Sequence, residues 1–311
     1  MPRQGWTVEE VRTPFLWGEL YAPEEEMRND AAPSEGIPQQ THTGAKDRPV
    51  RPALVIMPSS AGVCDIRERF YARYFAQQGC LCLITDSFAR RGLTQCMTDQ
   101  TLLDDGDMLE DARAAFRWLT AREDVGSVGI LGVSKGGLAA LNAALVLPGQ
   151  PPMPAFALHV CIVPSCAVQL RHPRVSGAPM LFLLGGKDDY TRAEPALRYA
   201  EAITRENDVR LETVVFPEAH HGWELCGKPQ FYPQAESYGT CLFYREDDGS
   251  ITNATTGESL SPARFRERLR SFAHYGAHAG GGTGALRRAT CETILDFMRR
   301  TDFLSGFEHV S

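Results

Sequence analysis

Five stretches of the chain are almost uninterruptedly apolar: Arg51–Pro58, Cys80–Thr85, Ser127–Leu131, Ala155–Val163 and Pro179–Leu184. A strand with one face in water alternates apolar and polar residues, whereas a continuous short run reads as a strand covered on both faces. Segments with helical spacing lie between the runs. Phe70–Gln78 groups Phe70, Tyr71, Tyr74 and Phe75 and meets Gly79 where a helix would end. Asp104–Arg122 carries Met108, Leu109, Ala112, Ala115, Phe116 and Leu119 on one face, and Ala196–Asn207 precedes an alternating strand, Val209–Phe216. This alternation predicts an α/β fold: a mostly parallel twisted sheet with helices on both faces, because parallel neighbours need crossover connections. Residues 1–22 alternate loosely and read as antiparallel edge strands. Ala285–Leu304 reads as a final amphipathic helix.

Ligands of such sheets sit at the carboxyl ends of the strands, and the loops expected there are chemically loaded. Gly132-Val133-Ser134-Lys135-Gly136-Gly137 lies between an apolar run and the alanine-rich Leu138–Leu145, which reads as strand, sharp turn, helix. A serine at such a turn projects its hydroxyl, and the following helix offers N-terminal N–H groups to an anion. The plainer reading is a strand-to-helix connection with an incidental serine. Ser59-Ser60-Ala61-Gly62-Val63 after the first apolar run could leave backbone N–H groups accessible for an oxyanion, or be a simple turn. Arg90 and Arg91, after the second, could bind a carboxylate or form a solvated charged turn. Asp104, Asp105 and Asp107 read as acids at a helix start and not as metal ligands. His159 reads as a packed histidine.

A serine hydroxyl becomes a useful nucleophile only when a base takes its proton and an acid holds that base. The order Ser134, Asp188, His221 supplies the three, each just past an expected strand, in the chain order that accompanies a nucleophile elbow. Spacing alone does not choose between Asp188 and Asp189, or between His220 and His221.

Through these residues the chain resembles the dienelactone hydrolase family of α/β-hydrolases, from about Leu54 to Trp223 and more weakly through the final helix. The family's glycine-glycine-x-aspartate turn matches Gly185-Gly186-Lys187-Asp188, and its histidine segment matches Pro217–Trp223 with His221 as base. The resemblance therefore implies an α/β-hydrolase fold with a catalytic Ser134–His221–Asp188 triad, and oxyanion donors at the backbone N–H groups of Ser60 and Lys135. It also implies substrate contacts at Arg90, Ser59 and Trp223. Ser134 stands where dienelactone hydrolases proper have cysteine, and Ser59 where they have glutamate, so their substrate does not carry over. The expected activity is hydrolysis of an ester, lactone or thioester of a small, anionic substrate through an acyl-enzyme, without metal or organic cofactor. The Ser134–Gly137 run also resembles acyl-CoA thioesterases and bile-acid acyltransferases, which gives an alternative. A non-catalytic ligand-binding protein of this fold is another.

Composition sets the remaining expectations. A net charge of −7 offers no basic footprint for nucleic acid. No apolar run is long enough to span a bilayer, and the start of the chain has no apolar signal core, so the expected location is cytoplasmic and the expected partner a small molecule, with homodimerisation left open. The nine cysteines are expected to be mostly buried free thiols, although Cys226 and Cys241 could pair in an oxidising compartment. Residues 1–311 read as a single domain in which 23–52 form a polar loop. Residues 224–284 form an irregular insertion that could shape the mouth of the site or be a packed decoration.

Overall fold

The computed structural model describes residues 5–24, 49–147 and 152–305; most of the expected polar loop at 23–52 lies outside these. The elements in order are β1 (Trp6–Arg12), β2 (Trp17–Pro23), β3 (Arg51–Met57), α1 (Glu68–Gln77), β4 (Leu81–Thr85), α2 (Asp105–Thr120), β5 (Val125–Val133), α3 (Lys135–Ala144), β6 (His159–Ile162), β7 (Val168–Leu170), β8 (Met180–Gly185), α4 (Ala193–Glu206) and β9 (Leu211–Phe216). They continue with β10 (Pro229–Ser237), β11 (Phe243–Arg245), β12 (Ile251–Asn253), β13 (Ser259–Leu260), α5 (Pro262–Arg268), β14 (His274–Gly280) and α6 (Gly284–Arg300).

Eight strands form one sheet in the order β1-β2-β4-β3-β5-β6-β8-β9. The hairpin β1–β2 joins β4 in antiparallel fashion, and every pair from β4 to β9 is parallel. The apolar runs divide between two cores by the period of two along a strand. In β3, Ala53, Val55 and Met57 pack with α2, α3 and α4, while Leu54 and Ile56 pack with α1 and α6. In β8, Met180, Phe182 and Leu184 go to the first core, and Leu181 and Leu183 to the second. A fully buried side chain of this size stabilises the fold by about 1.5–3 kcal/mol, so each strand contributes to both faces. The expected strand over 155–163 is shorter: only His159–Ile162 pairs, and Val163 turns out of the sheet with φ +42°.

Residues 224–284 are not irregular. They contain the antiparallel ribbon β10–β14 and three short strands that extend β7 into a sheet ordered β13-β12-β11-β7. The pairing of β7 with β11 is parallel, Val168 opposite Phe243, so the insertion is stitched to the chain between β6 and β8. Phe243, Phe265 and Phe272 pack on one another, with ring centroids 5.0 and 4.9 Å from Phe243. Glu236, Phe243, Ile251 and Phe265 of these pieces line one cavity with Ser134 after β5 and Tyr190 after β8, so they form a roof over those strand ends. No helix among the described residues is long and apolar enough to cross a membrane.

Candidate active site

The turn after β5 holds Ser134 at φ +58°, ψ −115°, a backbone conformation that side-chain-bearing residues rarely adopt. Its surroundings leave no choice of neighbours. A Cβ on Gly132 would stand 2.0 Å from the carbonyl oxygen of Gly136, and one on Gly136 would stand 2.2 Å from that of Met57. Ser134 N–H donates to Ile162 O of β6 at 2.8 Å, and Ser134 O accepts the first bond of α3 from Leu138 at 2.9 Å.

The other two groups come from loops that bond to each other. Gly186 N–H donates to Phe216 O and Lys187 N–H to Ala219 O, both at 2.9 Å, which ties the loop after β8 to the loop after β9. Across this junction Ser134 Oγ donates to His221 Nε2 at 3.0 Å, and His221 Nδ1 donates to Asp188 Oδ2 at 2.8 Å. The other oxygen of Asp188 accepts the backbone N–H groups of Tyr190 and Thr191, each at 2.8 Å. The Thr191 hydroxyl lies 3.1 Å from Asp188 Oδ2 and 3.0 Å from Val163 O. Tyr190 packs edge-on against the His221 imidazole at 4.6 Å, fixing the ring from the side. All three residues are buried.

The structure thus brings Ser134, Asp188 and His221 together and gives their sequence neighbours other work. Asp189 accepts the backbone N–H and Nδ1–H of His278 on β14, each at 2.8 Å. Burial opposes its charge, but these bonds hold its carboxyl below the usual value. His220 stacks loosely against the same His278, with centroids 5.9 Å apart. His159 is fully buried with Nδ1 3.0 Å from Ala140 O, and burial lowers its pKa to about 4.

The expected oxyanion donors, Ser60 and Lys135, stand in the loop after β3 and at the start of α3. Lys135 is the first residue of α3, where an N–H has no intrahelical acceptor. Ser60 sits in the loop after β3, held by Cys96 N–H on its carbonyl at 2.7 Å and by a bond between its hydroxyl and Tyr190. That loop is braced by Glu68, fully buried, which accepts from Ser59 N–H at 3.1 Å, Cys64 N–H at 3.0 Å and Arg67 Nε at 2.8 Å.

A cavity of about 640 Å³ opens beside Ser134, with Lys135, Tyr190, Gln100 and Glu236 around its polar end. The Lys135 side chain reaches into it, and Nζ donates to Gln100 O and Asp105 Oδ1, each at 3.3 Å. Asp104 caps α2 through a 2.7 Å bond from Gly106 N–H, so the acids at this helix start serve as cap and counter-ion. Glu236, on the roof, accepts Gln100 N–H at 2.6 Å and the Tyr238 hydroxyl at 2.9 Å. Sequence reasoning missed this network: Gln100 and Glu236 are far apart in the chain. Tyr190 and Thr191 were within reach, since they directly follow Asp188.

The three expected substrate contacts lie elsewhere than on the cavity wall. Arg90 donates to Asp111 of α2 at 3.0 Å, beside a second bond from Arg91 to the same carboxylate at 2.7 Å. Ser59 is buried with its N–H bonded to Glu68. Trp223 is wholly buried, and its indole N–H donates to Thr290 Oγ1 of α6 at 2.9 Å.

Comparison with known proteins gives a family and a fold. The model of the dienelactone hydrolase family matches residues 40–238, more than half of the chain. No curated protein matches the sequence. Among solved structures, Thermogutta terrifontis esterase 2 phosphorylated by paraoxon is 17% identical over 97% of this chain and 96% of that one, with a TM-score of 0.56. The same organism's thermophilic esterase Est2 with propionate bound is 16% identical over 99% and 98%, TM-score 0.54. A candidate dienelactone hydrolase of Klebsiella pneumoniae subsp. pneumoniae MGH 78578 is 21% identical over 70% and 88%, TM-score 0.50. At these identities the likeness is one of fold, the α/β-hydrolase fold. With the family match spanning the serine, the aspartate and the histidine, the chain belongs to the dienelactone hydrolase family, hydrolases that act on ester bonds.

Proposed function

We propose that the protein is a serine hydrolase that cleaves a carboxylic ester, lactone or thioester through an acyl-enzyme on Ser134. The observation that carries this reading is the unbroken path Ser134 Oγ to His221 Nε2, then His221 Nδ1 to Asp188 Oδ2, at 3.0 and 2.8 Å beside an open cavity. His221 takes the Ser134 proton as the oxygen attacks the carbonyl carbon. The oxyanion that forms is held by the N–H groups of Ser60 and Lys135. His221, then protonated, is stabilised by Asp188 and returns the proton to the leaving alcohol or thiol. Water, activated by the same imidazole, attacks the acyl-enzyme; the acid leaves and Ser134 regains its proton. The solved esterase of the same fold with propionate bound supports a carboxylic acid as product.

The test is Ser134→Ala. Ester turnover should fall by about 10⁴-fold or more, and labelling by a fluorophosphonate probe should vanish while the unfolding transition stays in place. A variant that keeps wild-type turnover refutes the assignment.

A further inference from the structure

We propose that the cavity beside Ser134 is a channel for an aliphatic chain, so that the ester cleaved carries one unbranched chain of roughly ten carbons; this rests on Ser134 being the nucleophile. The floor of the channel is a stripe of α3. Lys135, Leu138 and Asn142 line it, followed by Leu145 at the helix end, and their spacings of three and four place them on one face. A helix of this length rises about 15 Å from the residue after the nucleophile. An extended alkyl chain with C–C bonds of about 1.5 Å advances about 1.25 Å per carbon, so ten to twelve carbons span the stripe.

The facing wall comes from the roof. Val168, Phe243, Ile251, Phe265 and Leu269 line the cavity opposite α3. The three phenylalanines of the roof pack on one another in a cluster separate from the core that holds α3, and residues of both line the cavity. Unfilled space between aliphatic side chains weakens a fold, and a cavity of about 640 Å³ is the size of ordinary ligand sites. Polarity is arranged along its length. The end at Ser134 carries Lys135, Gln100, Glu236 and Tyr190, whereas Leu145, Leu147 and Leu170 bring aliphatic groups to the other end, with Asn142, Gln169 and Arg245 as polar neighbours. A ligand that fits has an ester at one end and hydrocarbon behind it.

The experiment compares two series with the wild-type enzyme: p-nitrophenyl alkanoates, which put the chain on the acyl side, and alkyl acetates, which put it on the alcohol side. In one series kcat/KM should rise about fourfold per methylene until the channel is full, near ten carbons, and then fall. Both series flat, or falling from two carbons onward, would overturn the proposal. Leu145→Trp, at the far end, should lower the ratio of decanoyl to acetyl ester turnover (or of decyl to ethyl) at least tenfold. Leu138→Trp, nearer the serine, should move the optimum to still shorter chains. Equal loss at every chain length in both variants, with unfolding transitions unchanged, counts against the channel. Should either tryptophan variant fail to fold, Phe265→Ala serves instead: it widens the wall and should shift the optimum to longer chains, and an unmoved optimum contradicts the proposal. Ser134-dependent hydrolysis without chain preference removes only this inference. Absence of Ser134-dependent hydrolysis removes the proposed function.

Discussion

At residue 188 one carboxylate has two separate tasks. Its Oδ1 is committed to two backbone N–H groups that set the loop, and its Oδ2 receives the imidazole. Asp188→Asn keeps the shape and can keep an oxygen toward the loop, but it then presents an amide N–H to His221 Nδ1. The ring must adopt the other tautomer and lose its ability to accept the Ser134 proton. The expected result is a fall in kcat of about 10⁴-fold with little change in KM and an unchanged melting temperature, measured by steady-state kinetics on a short ester. The neighbouring Asp189→Asn, which touches His278 and not His221, should lose far less in kcat under the same assay. Lys135 shows the same economy of position. Its backbone N–H starts a helix beside the nucleophile, while its ammonium holds Gln100 O and Asp105 at the polar end of the cavity.

Among the elements, β6 carries a buried group that acid would charge. His159 lies on this central strand between β5 and β8, wholly buried and neutral, with Nδ1–H donating to Ala140 O of α3. Its pKa of about 4 lies below the ordinary histidine value of 6.5, so between these values the unfolded chain binds a proton that the native state does not. Stability contributed in this way is fully present above pH 6.5 and is lost as pH falls toward 4, by about 3 kcal/mol in all. His159→Asn, which retains an N–H for Ala140, should flatten the fall of melting temperature between pH 6.5 and 4.5 relative to wild type; an identical slope in both proteins excludes His159 as the cause.

Elements also mark what could be read from the chain. The strands buried on both faces announce themselves as continuous apolar runs, and the residues directly beyond them form the site, so Ser134, Asp188 and His221 were legible from order and position. The choice of Asp188 over Asp189 needed the family's turn pattern, because both follow the same strand by nearly the same distance. The roof was not legible. Its strands β7, β11, β12 and β13 are two or three residues long, too short for any periodicity, and β7 finds its partner β11 only after β8, α4, β9 and β10 have intervened. The ion pair of Arg90 was not legible for a similar reason: its partner Asp111 is buried on α2 and becomes a neighbour only when that helix packs.

Across the whole molecule the nine cysteines are all free thiols, and Cys226 is exposed. Cys80 and Cys166 are buried, and burial pushes each up to about 12; burial also raises Cys82 and Cys161 well above the ordinary thiol value. Cys64 and Cys241 are half-buried, with thiols also raised by burial. A thiol-disulfide reagent at pH 8 should therefore modify Cys226 in a single fast phase, and the rest only on unfolding. The check is Cys226→Ser, which should remove the fast phase; a fast phase that survives assigns it to another thiol.

Asp188 and Asp189 are successive residues, so their Cα atoms stand about 3.8 Å apart. One grips the base and the other grips β14, and β14 in turn reaches the base from the opposite side, where Gly280 N–H donates to His221 O at 2.8 Å. The histidine is thus clamped between a loop and a ribbon that are themselves bolted together. Swinging β14 outward would have to tear the His278 bonds from Asp189 or pull His221 along with it. The ribbon is thereby part of the frame that holds His221, and moving it as a hinged door would disturb that histidine.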